Sequence, residues 1–136
     1  MNNRYESIVA IYKLVVMWAG SVINVLFGST DGMFLTLIAF MVLDSITEVC
    51  CYLIKKKRSR KTGIRSLVKK VGILCIVSLA TLIEQNILET TAVRSAVILY
   101  YISSEGLSIF ENIAKIGVPI PRKLRDILDK ITEQEK

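Results

Sequence analysis

The feature that most constrains this chain is the grouping of its apolar residues into long blocks, within 118 residues that contain no proline. Proline interrupts helices, so its absence favours long, continuous ones. A helix of about twenty residues is about 30 Å long, which is the thickness of the hydrocarbon core of a bilayer. The blocks cover residues 8–27, 33–54, 71–88 and 92–116, and the fourth is the least hydrophobic. The pattern predicts transmembrane helices.

The connections between these blocks predict how the helices are oriented. Nine of the eighteen Lys and Arg residues lie within residues 55–70, without an acidic residue among them. They are Lys55, Lys56, Lys57, Arg58, Arg60, Lys61, Arg65, Lys69 and Lys70. Lys and Arg beside a span resist translocation, so we expect a cytoplasmic basic loop that contacts the anionic inner leaflet. The short connections 28–32 and 89–91 then lie outside, and both termini lie in the cytoplasm.

The end of the chain has a different character. We expect a transmembrane domain over residues 1–118 and a cytoplasmic tail over residues 119–136. An apolar stripe at i, i+3, i+4 and i+7 predicts an amphipathic helix, which lies on the membrane or packs on a cytoplasmic protein. The stripe is formed by Leu124, Ile127, Leu128 and Ile131.

The predicted fold class is therefore all-α: helical hairpins in a membrane, with four transmembrane helices and an amphipathic C-terminal helix. An alternative has three spans, with the first block lying at the membrane interface. Lys13 and the polar Ser21 and Asn24 within that block leave this alternative open.

Carboxylates occur inside the second block, where charge is costly. Asp44 lies near its middle and Glu48 follows at i+4, on the same helix face. A central Asp costs roughly 2.5–3.5 kcal/mol, which nearly offsets the eleven Leu, Ile, Val and Phe of the block. The third block has Glu84. Further polar or small residues of the fourth block are Glu105, Gly106, Ser108, Glu111 and Asn112.

Two interpretations of these residues stay open. In one, they pair inside a packed bundle, where Lys13 or Arg94 meets a carboxylate. In the other, they line a water-filled path after several copies assemble, because ionisable residues within a membrane usually serve function. The small Gly106 and Ser108 would let another helix approach closely, which predicts a homo-oligomer with the fourth segment at or near the subunit contact.

The composition argues against an enzyme. The chain has no His, and Cys50, Cys51 and Cys75 do not have the spacing of a zinc or redox site. Phosphate-binding loops and nucleophile elbows are also missing from the sequence. We therefore expect neither catalysis nor a metal or other cofactor. The basic run lies between apolar blocks, so we expect no nucleic acid partner.

Four parts of the sequence resemble a known family. Residues 105–112 read Glu-Gly-Leu-Ser-Ile-Phe-Glu-Asn, and residues 117–121 read Gly-Val-Pro-Ile-Pro. Together with the aspartate motif around Asp44 and the basic run, they resemble the toxin-secretion/phage-lysis holin family, which includes clostridial toxin-export holins. The resemblance covers about residues 33–128. The chain departs from the family pattern at Glu48, where a glycine is usual, at Glu84, where an aspartate is usual, and at Ser66, where a glycine is usual.

The resemblance implies a function without substrate chemistry. Holins accumulate in the cytoplasmic membrane of a bacterial host, oligomerise and open large lesions. An endolysin, or a large toxin without a signal peptide, then leaves the cell. Two alternatives remain: a membrane scaffold that binds a cytoplasmic partner through its tail, and a pore-forming effector of phage defence.

Overall fold

The computed structural model describes residues 2–55, 60–88, 90 and 92–134, with side chains for all of these except 60–62, 128–129 and 131–134. All regular structure in the described residues is helical, as predicted, and no strand occurs among them. The helices are α1 (Asn2–Phe27), α2 (Gly32–Lys55), α3 (Arg60–Asn86), α4 (Ala92–Ile116) and α5 (Arg122–Gln134).

The helix bounds correct the prediction in one important place. α2 and α4 agree with the predicted blocks to within a residue, while α1 begins earlier, at Asn2. α3 begins at Arg60, so the prediction of a basic loop that continues to residue 70 is wrong. The run of basic residues predicts a loop because it is not apolar, but Lys and Arg are good helix formers. Residues 60–70 are the first turns of α3.

Two glycines end the helices that precede the turns. Gly28 follows α1 with a φ of 73°, and Gly117 follows α4 with a φ of 97°. Both are left-handed conformations that side chains with a Cβ rarely adopt. The N–H of Val118 donates to the carbonyl of Ile113 at 3.3 Å, the hydrogen bond that commonly closes a helix at such a glycine. Pro119 and Pro121 follow, and the helix cannot continue.

The three helices α2, α3 and α4 form one packed body. α4 packs against both α2 and α3, and its most extensive contact is with α2. α2 and α4 run parallel, because Arg94 contacts Asp31 near their starts and Asn112 contacts Cys51 near their ends. α3 runs antiparallel to both and also contacts α1. The core between them consists of Phe34, Leu37, Met41, Ile73, Val77 and Ile98.

The outward-facing surfaces of α1, α2 and α3 are largely apolar. α1 has no buried residue and exposes large side chains such as Trp18 and Leu14. Within the described residues, the helices long and apolar enough to cross a membrane are α1, α2 and Gly63–Asn86 of α3. α4 has the length, 25 residues, but not the apolarity. The first helix, which the three-span alternative placed at the interface, has the length and apolarity to span, and the count of four spans stays a prediction.

Candidate functional site: buried ion pairs between three helices

A lysine and two carboxylates meet in the interior of the body. The Nζ of Lys70 in α3 lies 2.5 Å from Oδ2 of Asp44 in α2 and 3.1 Å from Oε2 of Glu105 in α4. Asp44 and Glu105 are each only 3% exposed, and Lys70 is 8% exposed. Each helix of the body supplies one charged group, so these two ion pairs tie all three helices together.

An amide extends this arrangement along the contact between α2 and α4. The Nδ2 of Asn112 donates to Oδ1 of Asp44 at 3.2 Å and to Oγ1 of Thr47 at 3.0 Å. The thiol of Cys51 donates to the backbone carbonyl of Asn112 at 3.1 Å. We call Asp44, Lys70, Glu105 and Asn112 the central cluster.

The charges of the central cluster do not balance. One ammonium group faces two carboxylates, and all three are buried. Removing one partner of a buried ion pair leaves an uncompensated charge, at a cost of roughly 3–5 kcal/mol. In the described part of the chain, every buried side-chain nitrogen and oxygen has a hydrogen-bond partner. The hydrogen bonds of the cluster are thus satisfied within one protomer, although it contains two carboxyl groups and one ammonium group.

A polar cleft of about 190 Å³ adjoins the central cluster. Ser66 on its wall donates a hydrogen bond of 2.7 Å to Oε2 of Glu48. The exposed Arg65 and Lys69 of α3 also line it. The full lining is Asp44, Glu48, Arg65, Ser66, Lys69, Lys70, Glu105 and Ser108. The cleft has the size and the polar walls to hold several water molecules beside the ion pairs.

Arg94 fixes the end of the body that lies opposite the central cluster. Its Nε donates to the carbonyl of Phe27 at 2.8 Å, and its Nη2 donates to the carbonyl of Ser29 at 2.9 Å. The Nη1 of Arg94 also lies 3.0 Å from Oδ2 of Asp31. A Cβ at Gly28 would lie only 3.0 Å from the Nε of Arg94, so glycine fits there for space as well as for φ. We call Arg94, Asp31 and the two carbonyls the Arg94 clamp.

Two carboxylates complete this end by capping helices. Oδ1 of Asp31 accepts from the N–H of Phe34 at 3.0 Å, at the start of α2. Oε2 of Glu84 accepts from the N–H of Arg94 at 2.8 Å, at the start of α4. Such caps satisfy donors that a helix start leaves unpaired. The hydrogen bond from Arg94, followed by that from the Phe34 N–H, lowers the pKa of Asp31 below its ordinary value.

The predicted residues of the fourth segment are only partly brought together. Glu105 and Asn112 join Asp44 in the central cluster, while Ser108 lines the cleft. Glu111 is exposed, and Glu84 lies at the other end of the body. A Cβ at Gly106 would lie 3.3 Å from the ring of Phe40. Gly106 therefore allows a close approach of α2 within this chain, while its predicted place at a subunit contact stays a prediction.

Of the two basic residues that organise the interior, the sequence-based prediction pointed to Arg94 only in part and did not point to Lys70. Lys70 was grouped with the residues that contact the membrane surface, but it is buried in the central cluster. A signal was present, since Lys70 precedes the core residues Ile73 and Val77 at i+3 and i+7, on one helix face. Arg94 was considered as a partner for a carboxylate, but the carbonyls that it holds could not be predicted from spacing.

The structure describes the side chains of only some of the remaining basic and tail residues. Lys55, Arg65 and Lys69 are exposed. Lys56, Lys57 and Arg58, and the side chains of Arg60 and Lys61, lie outside what is described. In α5, Leu124 and Ile127 are 37% and 53% exposed. The side chains of Leu128 and Ile131 again lie outside the described set, so the apolar stripe is seen only in part.

Groups that could hold a metal ion are not found among the described residues. The cysteines Cys50, Cys51 and Cys75 are all free thiols. The chemistry of the central cluster is thus that of ion pairs and hydrogen bonds.

Comparison with family models identifies one family, and the similar proteins that were found are uncharacterized. The family model described as the bacteriophage holin family matches residues 21–133. An uncharacterized protein of Clostridium perfringens is 34% identical over 131 residues, which is 95% of this chain and 96% of the relative. A second C. perfringens protein, described as an uncharacterized 14.9 kDa protein in the nagH 3′ region, is 32% identical over 96% of this chain and 99% of its own. An uncharacterized Listeria innocua protein is 30% identical over 87% of this chain and 84% of its own length. No solved structure matches the chain.

Proposed function

The chain belongs to the bacteriophage holin family, and on this premise we propose that it forms lesions in the cytoplasmic membrane of a bacterial host. Several copies assemble, and an endolysin or a large toxin leaves through the lesion. The observation that supports this most is the central cluster, a set of charged and amide side chains buried among helices of which α2 and α3 are apolar enough to span a membrane. Ionisable residues at such depth are costly and usually serve function.

We extend the proposal to a topology with four spans and both termini in the cytoplasm. α4 has too little apolar surface to span by itself, but its charged Glu105 is covered by α2 and α3. Arg65 and Lys69 then face the anionic inner leaflet. Reporter fusions or cysteine accessibility at Thr30 and Lys57 test this arrangement. An external position 57 would contradict it.

Release of an endolysin is the direct test of function. The chain and an endolysin without a signal peptide are induced together in a bacterial host, with the endolysin alone as the control. We expect the culture to lyse abruptly only when both are present. Survival of the culture, with the chain present in the membrane fraction and the endolysin active in extracts, would count against a holin.

α5 supports a second candidate, a membrane scaffold or phage-defence effector that binds a cytoplasmic protein. The exposed Leu124 and Ile127 give this short helix an apolar face that a partner could cover. A chain that ends before residue 119 separates the two candidates. Lysis by this shortened chain favours the holin, whereas normal accumulation without lysis or leakage favours a function through α5.

A further inference from the structure

The polar groups that a water-filled lesion needs face inward within each protomer. Asp44, Lys70, Glu105 and Asn112 are all buried and satisfied by one another. The exposed faces of α1, α2 and α3 are rich in large apolar residues. Copies that assembled without rearranging would therefore surround these four side chains mainly with protein, and only the small cleft beside them would be open to water.

From this geometry we propose that the central cluster is a latch, and that α4 must separate from α2 and α3 before a lesion opens. The inference rests on the proposed lesion-forming function and concerns its regulation. In the closed protomer, Lys70 holds the carboxylates of α2 and α4 together. Separation carries Glu105 and Asn112 of α4 away from Asp44 and Lys70, and the freed groups are then hydrated in the lesion.

The charges around the latch determine how it responds to substitution. α2 contributes Asp44 and Glu48, α4 contributes Glu105, and α3 contributes Lys70 at the centre with Arg65 and Lys69 exposed at the cleft. The two buried carboxylates share one ammonium group and repel each other. Glu105→Gln keeps the shape and a hydrogen-bond acceptor for Lys70 while removing this repulsion, so it tightens the latch. Lys70→Gln leaves both carboxylates without their cation, so it loosens the latch.

The cleft offers a route for the first step of opening. The 190 Å³ of the cleft has room for water beside Asp44, Lys70 and Glu105, so water could replace their ion pairs without crossing the apolar core. The apolar contacts of Ile98 with the rest of the core lie on the Arg94 side of this cleft. We therefore expect separation to begin at the central cluster.

A native thiol reports whether α2 and α4 have separated. Cys51 of α2 is 6% exposed, and its thiol donates to the Asn112 carbonyl of α4. A small maleimide cannot reach it until that contact opens. A chain with Cys50→Ser and Cys75→Ser keeps Cys51 as its sole thiol. Cys75 on α3 is already exposed, so a chain that keeps Cys75 alone is the matched control.

The test follows maleimide labelling and marker leakage together in vesicles that contain the single-thiol chains. We expect the labelling rate of Cys51 to rise by about tenfold or more at the onset of leakage, as buried sites react through local opening. The rate at Cys75 should change much less. Glu105→Gln should delay both leakage and Cys51 labelling, and Lys70→Gln should advance both. Glu111→Gln removes an exposed carboxylate from the same helix and should change neither.

The outcomes separate the latch from the function on which it rests. Leakage while Cys51 is still protected from labelling would overturn the latch. A Glu105→Gln chain whose leakage begins at the same time as that of the unchanged chain would also overturn it. Either result would leave the proposed lesion standing. Absence of leakage from the unchanged chain would refute the lesion whatever the thiol does. If Lys70→Gln does not accumulate in membranes, the Glu105→Gln and Glu111→Gln pair still decides the question.

Discussion

The central cluster and the Arg94 clamp stabilise the same helical body at two positions along its length, through different kinds of contact. In the central cluster, side chains pair with side chains, and one cation serves two buried carboxylates beside a polar cleft. In the clamp, one guanidinium binds two backbone carbonyls and a carboxylate that is 40% exposed. The clamp therefore fixes the path of the chain between α1 and α2, whereas the cluster fixes only the contacts between helices. We infer that the clamp is structural and that the cluster is the part that can open.

The largest expected effect is at the clamp. Arg94→Leu removes the donors to Phe27 and Ser29 and leaves Asp31 without its ion pair. Hydrogen bonds of a charged group contribute roughly 1.5–3 kcal/mol each, so we expect a loss of about 3 kcal/mol or more in the free energy of unfolding. Denaturant unfolding in detergent micelles measures it. Arg94→Lys keeps the charge but not the planar guanidinium. Its free energy of unfolding should lie between those of the unchanged chain and Arg94→Leu. An Arg94→Leu chain as stable as the original would show that the clamp is dispensable.

The next effect is at Asp44. Asp44→Leu deprives both Lys70 and Asn112 of an acceptor, while Asp44→Asn keeps the shape and one acceptor oxygen. We expect the Leu variant to insert normally and to shift the timing of lysis or abolish it, with a smaller change for Asn. Lysis curves at matched membrane abundance provide the measurement. Identical timing in all three chains would mean that the central cluster has no role in opening.

Substitutions at Gly106 test how closely α4 packs against α2. The ring of Phe40 leaves little space beside Gly106, so Gly106→Leu should push α2 and α4 apart and cost roughly 1–3 kcal/mol. Gly106→Ala should cost less, because the ring needs to move by only a few tenths of an ångström. Unfolding in micelles and cross-linking in membranes are compared for both variants. Unchanged protomer stability with lost cross-links would instead place Gly106 at the contact between subunits.

A smaller effect concerns acid. The pKa of Asp31 is lowered by its hydrogen bond to Arg94, so its contribution to stability is complete above about pH 3.9 and is lost as the pH falls through its lower value in the folded chain. The group is partly exposed, so we expect less than about 1 kcal/mol. In thermal unfolding at pH 7, the Tm of Asp31→Asn should be lower than that of the unchanged chain. The difference in Tm should shrink in acid. A difference that grows in acid would contradict this assignment.

The smallest effect on the body is expected from the tail. Ile127→Asp with Ile131→Asp should detach α5 from the membrane surface, since a large apolar side chain contributes roughly 1.5–3 kcal/mol when buried. Insertion should remain, because α1, α2 and α3 carry the apolar length. Protease access to the tail in inside-out vesicles measures detachment. Lys130→Asp is the matched control with the same change in net charge. Failure of the double variant to reach the membrane would give the tail another role.

The two regions differ in how far they could be predicted. The helices followed from apolar blocks and from the breaks at Gly28 and Gly117. Asp44, Glu105 and Asn112 could be selected because polar residues in apolar blocks are conspicuous. Lys70 was missed because it ends a basic run, and burial depends on which face of α3 meets the body. The clamp required the path of the backbone around Gly28, which no side-chain pattern contains.

Lesion formation is tested most directly with vesicles that hold a small dye and a dextran as large as an endolysin. The purified chain is added at increasing density, and cross-linking follows its assembly. If the chain forms large lesions, both markers leave together once assemblies form, after a delay in which the vesicles stay tight. Release of the dye with retention of the dextran, or retention of both by vesicles with cross-linked assemblies, would contradict the formation of large lesions.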